Sequence, residues 1–86
     1  MQTLEIMSVY DTAISSYMRP FASQSIGAAV RQFEDEYNTP DTPIAKHPED
    51  YALFHLGTFD DSSGNIETIE PRCVRRAHEI QRPGQD

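Results

Sequence analysis

The sequence predicts a small α+β domain in which an antiparallel sheet, in the order β-β-α-β-β, packs against one helix. Three observations predict it. Tyr51 to Phe59 is an aromatic-rich apolar run, too short for a typical helix and long enough for a strand. Residues 24–37 repeat apolar side chains with helical period. Eighty-six residues make one domain, and a chain this size buries only about 60–65% of its unfolded surface. Stability should therefore be marginal without a partner or second copy, and a deep enclosed active site is not expected.

Residues 3–10 read as the first strand, with Leu4, Ile6 and Tyr10 on one face and Met7 and Val9 on the other. Asp11 and Thr12 can turn the chain, because an aspartate side chain bonds its own backbone in such positions. Ala13 to Arg19 can return as a second strand, ended or placed at an edge by Pro20; Ala-Ile-Ser-Ser-Tyr-Met also suits a helical turn. In the helix, Ile26, Ala29, Val30, Phe33 and Tyr37 form one continuous stripe, which should pack on the sheet. Ser23 or Ser25 can cap it, and Asn38, Thr39 and Pro40 close it. Residues 38–50, with Pro40, Pro43 and Pro48, read as a stiff, extended loop.

Pro48 cannot sit in a ladder, so the central strand should start after it. Strict alternation puts Tyr51, Leu53, His55 and Phe59 on one face and Ala52, Phe54, Leu56 and Thr58 on the other. Both faces are apolar, which predicts a strand covered on both sides. Asp60 to Asn65 supplies turn chemistry, and Ile66, Thr68 and Ile69 restart a strand, so 51–70 reads as a hairpin. The domain spans 1–71. Residues 72–86 form a basic segment, a short helix over Arg72–Arg82 followed by a disordered tail.

The net charge is −7, which opposes nucleic acid at long range and confines any such contact to a local basic patch. Four of the seven cations, Arg72, Arg75, Arg76 and Arg82, crowd the C-terminal segment; with Lys46 they are the candidate phosphate-binding residues. Tyr10, Tyr17, Tyr51 and Phe59 lie on predicted strands, where they can stack on bases or fill the core. Glu34, Asp35 and Glu36 end the helix where its dipole is already negative, which calls for an answering cation from this chain or a partner. Those acids are the rival candidate site, for a protein partner, and the rival role of the arginines is to neutralise them.

His47, His55, His78 and Cys73 do not fall at zinc-ligand spacing, and Asp60–Gly64 lacks the terminal glutamate of a calcium loop. No cofactor is expected and no metal. His55, among apolar neighbours, reads as a core or edge histidine, and no nucleophile elbow, phosphate loop or carboxylate dyad is readable, so binding rather than catalysis is expected. Met1 to Asp11 lacks the basic start of a signal peptide, no apolar run reaches bilayer length, and the lone Cys73 fits a reducing compartment.

Lys46-His47-Pro48-Glu49-Asp50-Tyr51, followed by Leu56-Gly57-Thr58-Phe59-Asp60-Asp61, resembles the signature of the small nonstructural protein of gokushovirus-type microviruses, bacteriophages with circular single-stranded DNA. Ser8-Val9-Tyr10-Asp11, Pro20-Phe21 and Ala29-Val30-Arg31-Gln32-Phe33 match in the same order, so the resemblance covers roughly residues 4–70. It implies a nonstructural phage protein in the cytoplasm of the infected bacterium. The implied role is DNA-binding or replication-associated, in the switch toward single-stranded viral DNA synthesis or packaging. Its partner would be single-stranded viral DNA or a replication protein, without a membrane and with a homo-oligomer compatible. The rival from another class is an acidic interaction module that engages a host or viral replication protein without touching DNA.

Overall fold

The computed structural model describes residues 2–80. Its strands are β1 (Thr3–Asp11), β2 (Ser16–Tyr17), β3 (Phe21–Ser23), β4 (Tyr51–Asp60) and β5 (Ile66–Arg76); its helices are α1 (Ile26–Tyr37) and the single turn α2 (Pro43–Lys46). Short 3-10 turns cover Pro48–Asp50 and Ala77–Glu79. All strand pairings are antiparallel, in the order β2-β1-β4-β5, with β3 also on β1. The α+β class and the central place of the 51–60 strand match the sequence reading.

The return from β1 is not one strand. Asp11 Oδ1 accepts the Ala13 N–H at 2.9 Å, the expected aspartate turn, and Ser15 takes a positive φ of 52°. β2 then pairs Tyr17 with Tyr10, and β3 pairs Phe21 with Met7. Between them lies Pro20, which has no N–H for a ladder. Pro20 therefore splits the second strand instead of ending it.

Ser25 caps α1, its Oγ accepting the Ala28 N–H at 3.0 Å. Ala29, Phe33 and Tyr37 are buried, and Ile26 and Val30 flank them, as the stripe predicts. No glycine ends α1. Instead Thr39 Oγ1 donates to the Asp35 carbonyl at 2.8 Å and Thr42 Oγ1 donates to the Glu36 carbonyl at 2.9 Å, satisfying two of its last acceptors. Thr42 also caps α2, with Pro43 in the first turn, and this turn seats Ile44 in the core. The extended loop expected over 38–50 is thus partly helical.

The core lies between α1 and one sheet face: Met7, Leu53, Ala29, Phe33, Tyr37, Ile44, Ala77 and Ile80. Register departs from strict alternation. Met7 pairs with His55 and Ile6 with Gly57, so Leu56 is an extra residue, and Phe59 moves to the face opposite Leu53. Opposite the same point, His55 pairs with Arg72 and Gly57 with Thr68, so β5 bulges through Ile69, Glu70 and Pro71. A bulge on an edge strand is where a proline is tolerated. The strand therefore continues through Pro71, and the predicted helix is replaced over Arg72–Arg76 by the end of β5. The tail, Pro83 to Asp86, lies outside the described residues.

Nor is the sheet covered on both sides. The helices cover the Met7–Leu53 face. The opposite face carries Leu4, Phe59 and Ile66 across one row and Tyr17, Tyr10, Ala52 and Arg76 across another, with Phe54 between them. None of these belongs to the core cluster or the side chains packed against it.

Candidate functional site

The arginines do not form one patch. Arg72 pairs with His55 and Arg75 with Leu53, which sets both on the helix face; Arg76 pairs with Ala52, which sets it on the open face. Arg75 Nη2 lies 3.0 Å from Glu34 Oε2, and both side chains are two-thirds buried. This is the cation that the acidic helix end calls for, supplied by the edge strand of the same chain. Its Nε is buried with no partner among the described residues, so the side chain is held by that single contact and its packing. Arg72 and Arg76 are exposed, as are Asp35 and Glu36. Lys46 is exposed at the end of α2, and Arg82 lies outside the described residues.

Phe54, Tyr10 and Tyr17 stack edge-to-face, with ring centroids 4.7 to 5.9 Å apart. Each ring is already a neighbour's partner, which reduces the ring faces left for bases. Beside this cluster Ser8 is buried and its hydroxyl donates to the Met18 carbonyl at 2.7 Å, tying the broken edge strand to β1.

On the helix side, a groove of about 460 Å³ opens where the edge strand is interrupted. Val9, Met18, Phe21, Phe33, Ile44 and Tyr51 line it, and Arg19 and Glu36 stand at its rim. Its volume falls in the range of small-molecule sites. Burial pushes the Tyr51 phenol above its ordinary range, and the Asp11 carboxylate, which accepts its hydrogen bond, and Asp50 push it further. The phenol is thus kept protonated.

His55 is 8% exposed. With its proton on Nε2, the ring donates to Glu5 Oε1 at 2.8 Å and to the Gly57 carbonyl at 3.0 Å. Its Nδ1 is buried without a partner among the described residues. This matches the core histidine expected, and it adds a half-buried carboxylate partner that strand pairing alone did not suggest. His47, Glu49 and Asp50 bring three ligand atoms within 4.8 Å of one another in a solvent-facing turn. Nδ1 of His47 is 4.0 Å from Glu49 Oε1, and both side chains are about two-thirds exposed, a setting that also suits a solvated turn.

Residues 4–80 match the family model described as Phage ORF5 protein. The chain belongs to that family. The match covers the described sheet from the second residue of β1 onward and both helices, so the Phage ORF5 family and this fold coincide, and the chain is a phage protein. No curated protein and no solved structure matches it. Among the described residues, no helix is long and apolar enough to cross a membrane.

Proposed function

We propose that this Phage ORF5 protein is the nonstructural protein of a gokushovirus-type phage. It acts in the cytoplasm of the infected bacterium, by binding rather than by catalysis, in the replication of viral DNA. The mode supported best is contact with a replication protein through the acidic surface. The Arg75–Glu34 pair carries this reading: the central arginine of the basic cluster is spent inside the molecule, while Asp35 and Glu36 remain exposed on a chain of net charge −7. Arg72 and Arg76, on opposite faces, do not converge on one phosphate. An acidic surface also speeds encounter with the basic proteins that handle DNA.

One observation favours the direct reading. Tyr17, Tyr10, Ala52 and Arg76 share a single row across the open sheet face, an aromatic platform ending in a cation, as in single-strand binders. Two assays separate the readings. In the first, the parent captures the phage replication protein from infected cells, and Asp35→Asn/Glu36→Gln abolishes capture. In the second, fluorescence anisotropy with a single-stranded oligonucleotide at low salt gives no binding. Binding that weakens with salt, with a log–log slope of about −0.7 per phosphate contact and lost in Arg72→Gln/Arg76→Gln, would replace protein contact with DNA contact.

A further inference from the structure

We infer that the open face of the sheet is a homodimer interface, on which a second copy of this chain packs sheet against sheet to give four layers, helix-sheet-sheet-helix. The face is a different surface from the acidic helix end. Strand register puts Leu4, Ile6, Tyr10, Phe54, Phe59 and Ile66 on it together. Ile66 is 57% exposed and Tyr17 40%; Leu4, Ile6, Tyr10, Phe54 and Phe59 are part-exposed, Ser8 and Ala52 between them are buried, and the core cluster under the helices lies on the other side.

Three arguments select a second copy as the occupant. The first is charge. Two chains of net charge −7 repel, so they can meet only where neither presents carboxylates. On β1, Glu5 shares the core face with Met7, leaving Leu4, Ile6, Ser8 and Tyr10 for the open face; of the paired residues on that face, Arg76 at one corner is the charged one. An apolar face with a single cation at its corner suits a copy of itself better than it suits a polyanion, which needs several cations.

The second argument is area. Three strands of 9 to 11 residues span roughly 30 Å, and with the short β2 and β3 sharing the fourth position, four positions about 4.8 Å apart span roughly 19 Å. The face therefore offers on the order of 600 Å² per chain, or about 1,200 Å² for the pair, the lower bound of a standard stable interface. Antiparallel sheets pack this way about 10 Å apart.

The third is that the edges are closed to pairing. β5 carries two bulges, Pro71 and the charges of Glu67, Glu70 and Arg72, and the other edge is interrupted at Pro20. Association has the face left to use, and a two-fold axis through it makes the contact self-complementary.

Sedimentation equilibrium of the full chain, from micromolar to several hundred micromolar and at low and high salt, tests this. The expected mass is twice the 9.8 kDa of the chain. Dissociation should tighten several-fold as salt rises, because screening removes repulsion between acidic copies, the opposite sign to DNA binding. Ile66→Glu and Tyr17→Glu, at exposed positions away from the core, should give monomers with unchanged far-ultraviolet circular dichroism. The parent's thermal midpoint should also rise with chain concentration, a readout that needs no substitution. A parent that stays monomeric throughout overturns the inference, and so does a dimer that survives both substitutions. A monomeric parent that binds an oligonucleotide, with binding lost in Tyr17→Glu, overturns it in favour of DNA on the same face.

Discussion

Gly57 shows what one residue can decide. It is buried between two bulges, and a Cβ built there would run into the backbone carbonyl of Glu67. That contact is backbone and cannot swing aside, so Gly57→Ala should destabilise by about 1–3 kcal/mol, as overpacking does, and chemical denaturation would measure it. The motif Leu56-Gly57-Thr58 was visible in the sequence, but the reason for its glycine was not, because it depends on which residue β5 brings alongside. His55 is buried, as its apolar stretch suggested, but what surrounds it comes from other strands, with Met7 and Arg72 as its cross-strand partners. Its partner Glu5 could not be read, since the bulge at Leu56 sets the offset between β1 and β4. Glu5→Leu removes one of the two acceptors that face the buried ring N–H and leaves the Gly57 carbonyl, so it should cost about 1 kcal/mol, and Glu5→Gln, which keeps an acceptor, should cost less. At the hairpin tip, the hydroxyl and N–H of Ser62 hold the Asp60 carboxyl below the usual aspartate range. The folded value lies below the unfolded one, so its contribution is fully present above the unfolded pKa and fades as pH falls through the folded value. Asp60→Asn should flatten that acid limb in a titration of stability against pH.

Among the elements, α1 was the most legible, because a helix is specified by local spacing. Its stripe, its cap Ser25 and its closing residues all lie within one stretch of chain. Phe33 sits at the centre of the stripe and is 3% exposed, so Phe33→Ala should cost about 3–5 kcal/mol. In a domain this small that should remove the cooperative thermal transition; a midpoint within a few degrees of the parent's would contradict its place in the core. Strands were less legible. Two-residue periodicity assumes an unbroken ladder, and one extra residue reverses every side chain beyond it. The bulge at Leu56 therefore misplaced Phe59; the assignment of two covered faces failed separately, because the helices pack only on the Met7–Leu53 face. In the basic segment Val74, Ala77 and Ile80 have helical spacing, but tertiary pairing to β4 overrides that weak local preference as far as Arg76. The pairing also determines where the arginines point, which explains why the candidate site could be named from sequence but not assembled: Arg75 reaches Glu34 across elements 41 positions apart in the chain.

For the whole molecule, charge and surface act against each other. The excess of 14 acids over seven cations gives a repulsion distributed over the fold, while the Arg75–Glu34 pair answers it at one point. Salt weakens both terms. A partly exposed pair contributes at most about 1 kcal/mol, because solvent screens it already. The distributed term involves many charges separated by more than a few ångströms, and these are the interactions that salt removes as the Debye length falls from about 30 Å at 0.01 M to about 10 Å at 0.1 M. Repulsion should therefore win the comparison, and the thermal midpoint should rise with salt. Dimerisation would raise it too, so the measurement belongs in the Ile66→Glu variant, whose expected state is monomeric at every salt concentration. A midpoint that rises in this variant assigns the effect to self-repulsion within one chain. A midpoint that falls would mean that the Arg75–Glu34 and His55–Glu5 contacts outweigh the net charge, and the acidic surface would then be better balanced than its total suggests.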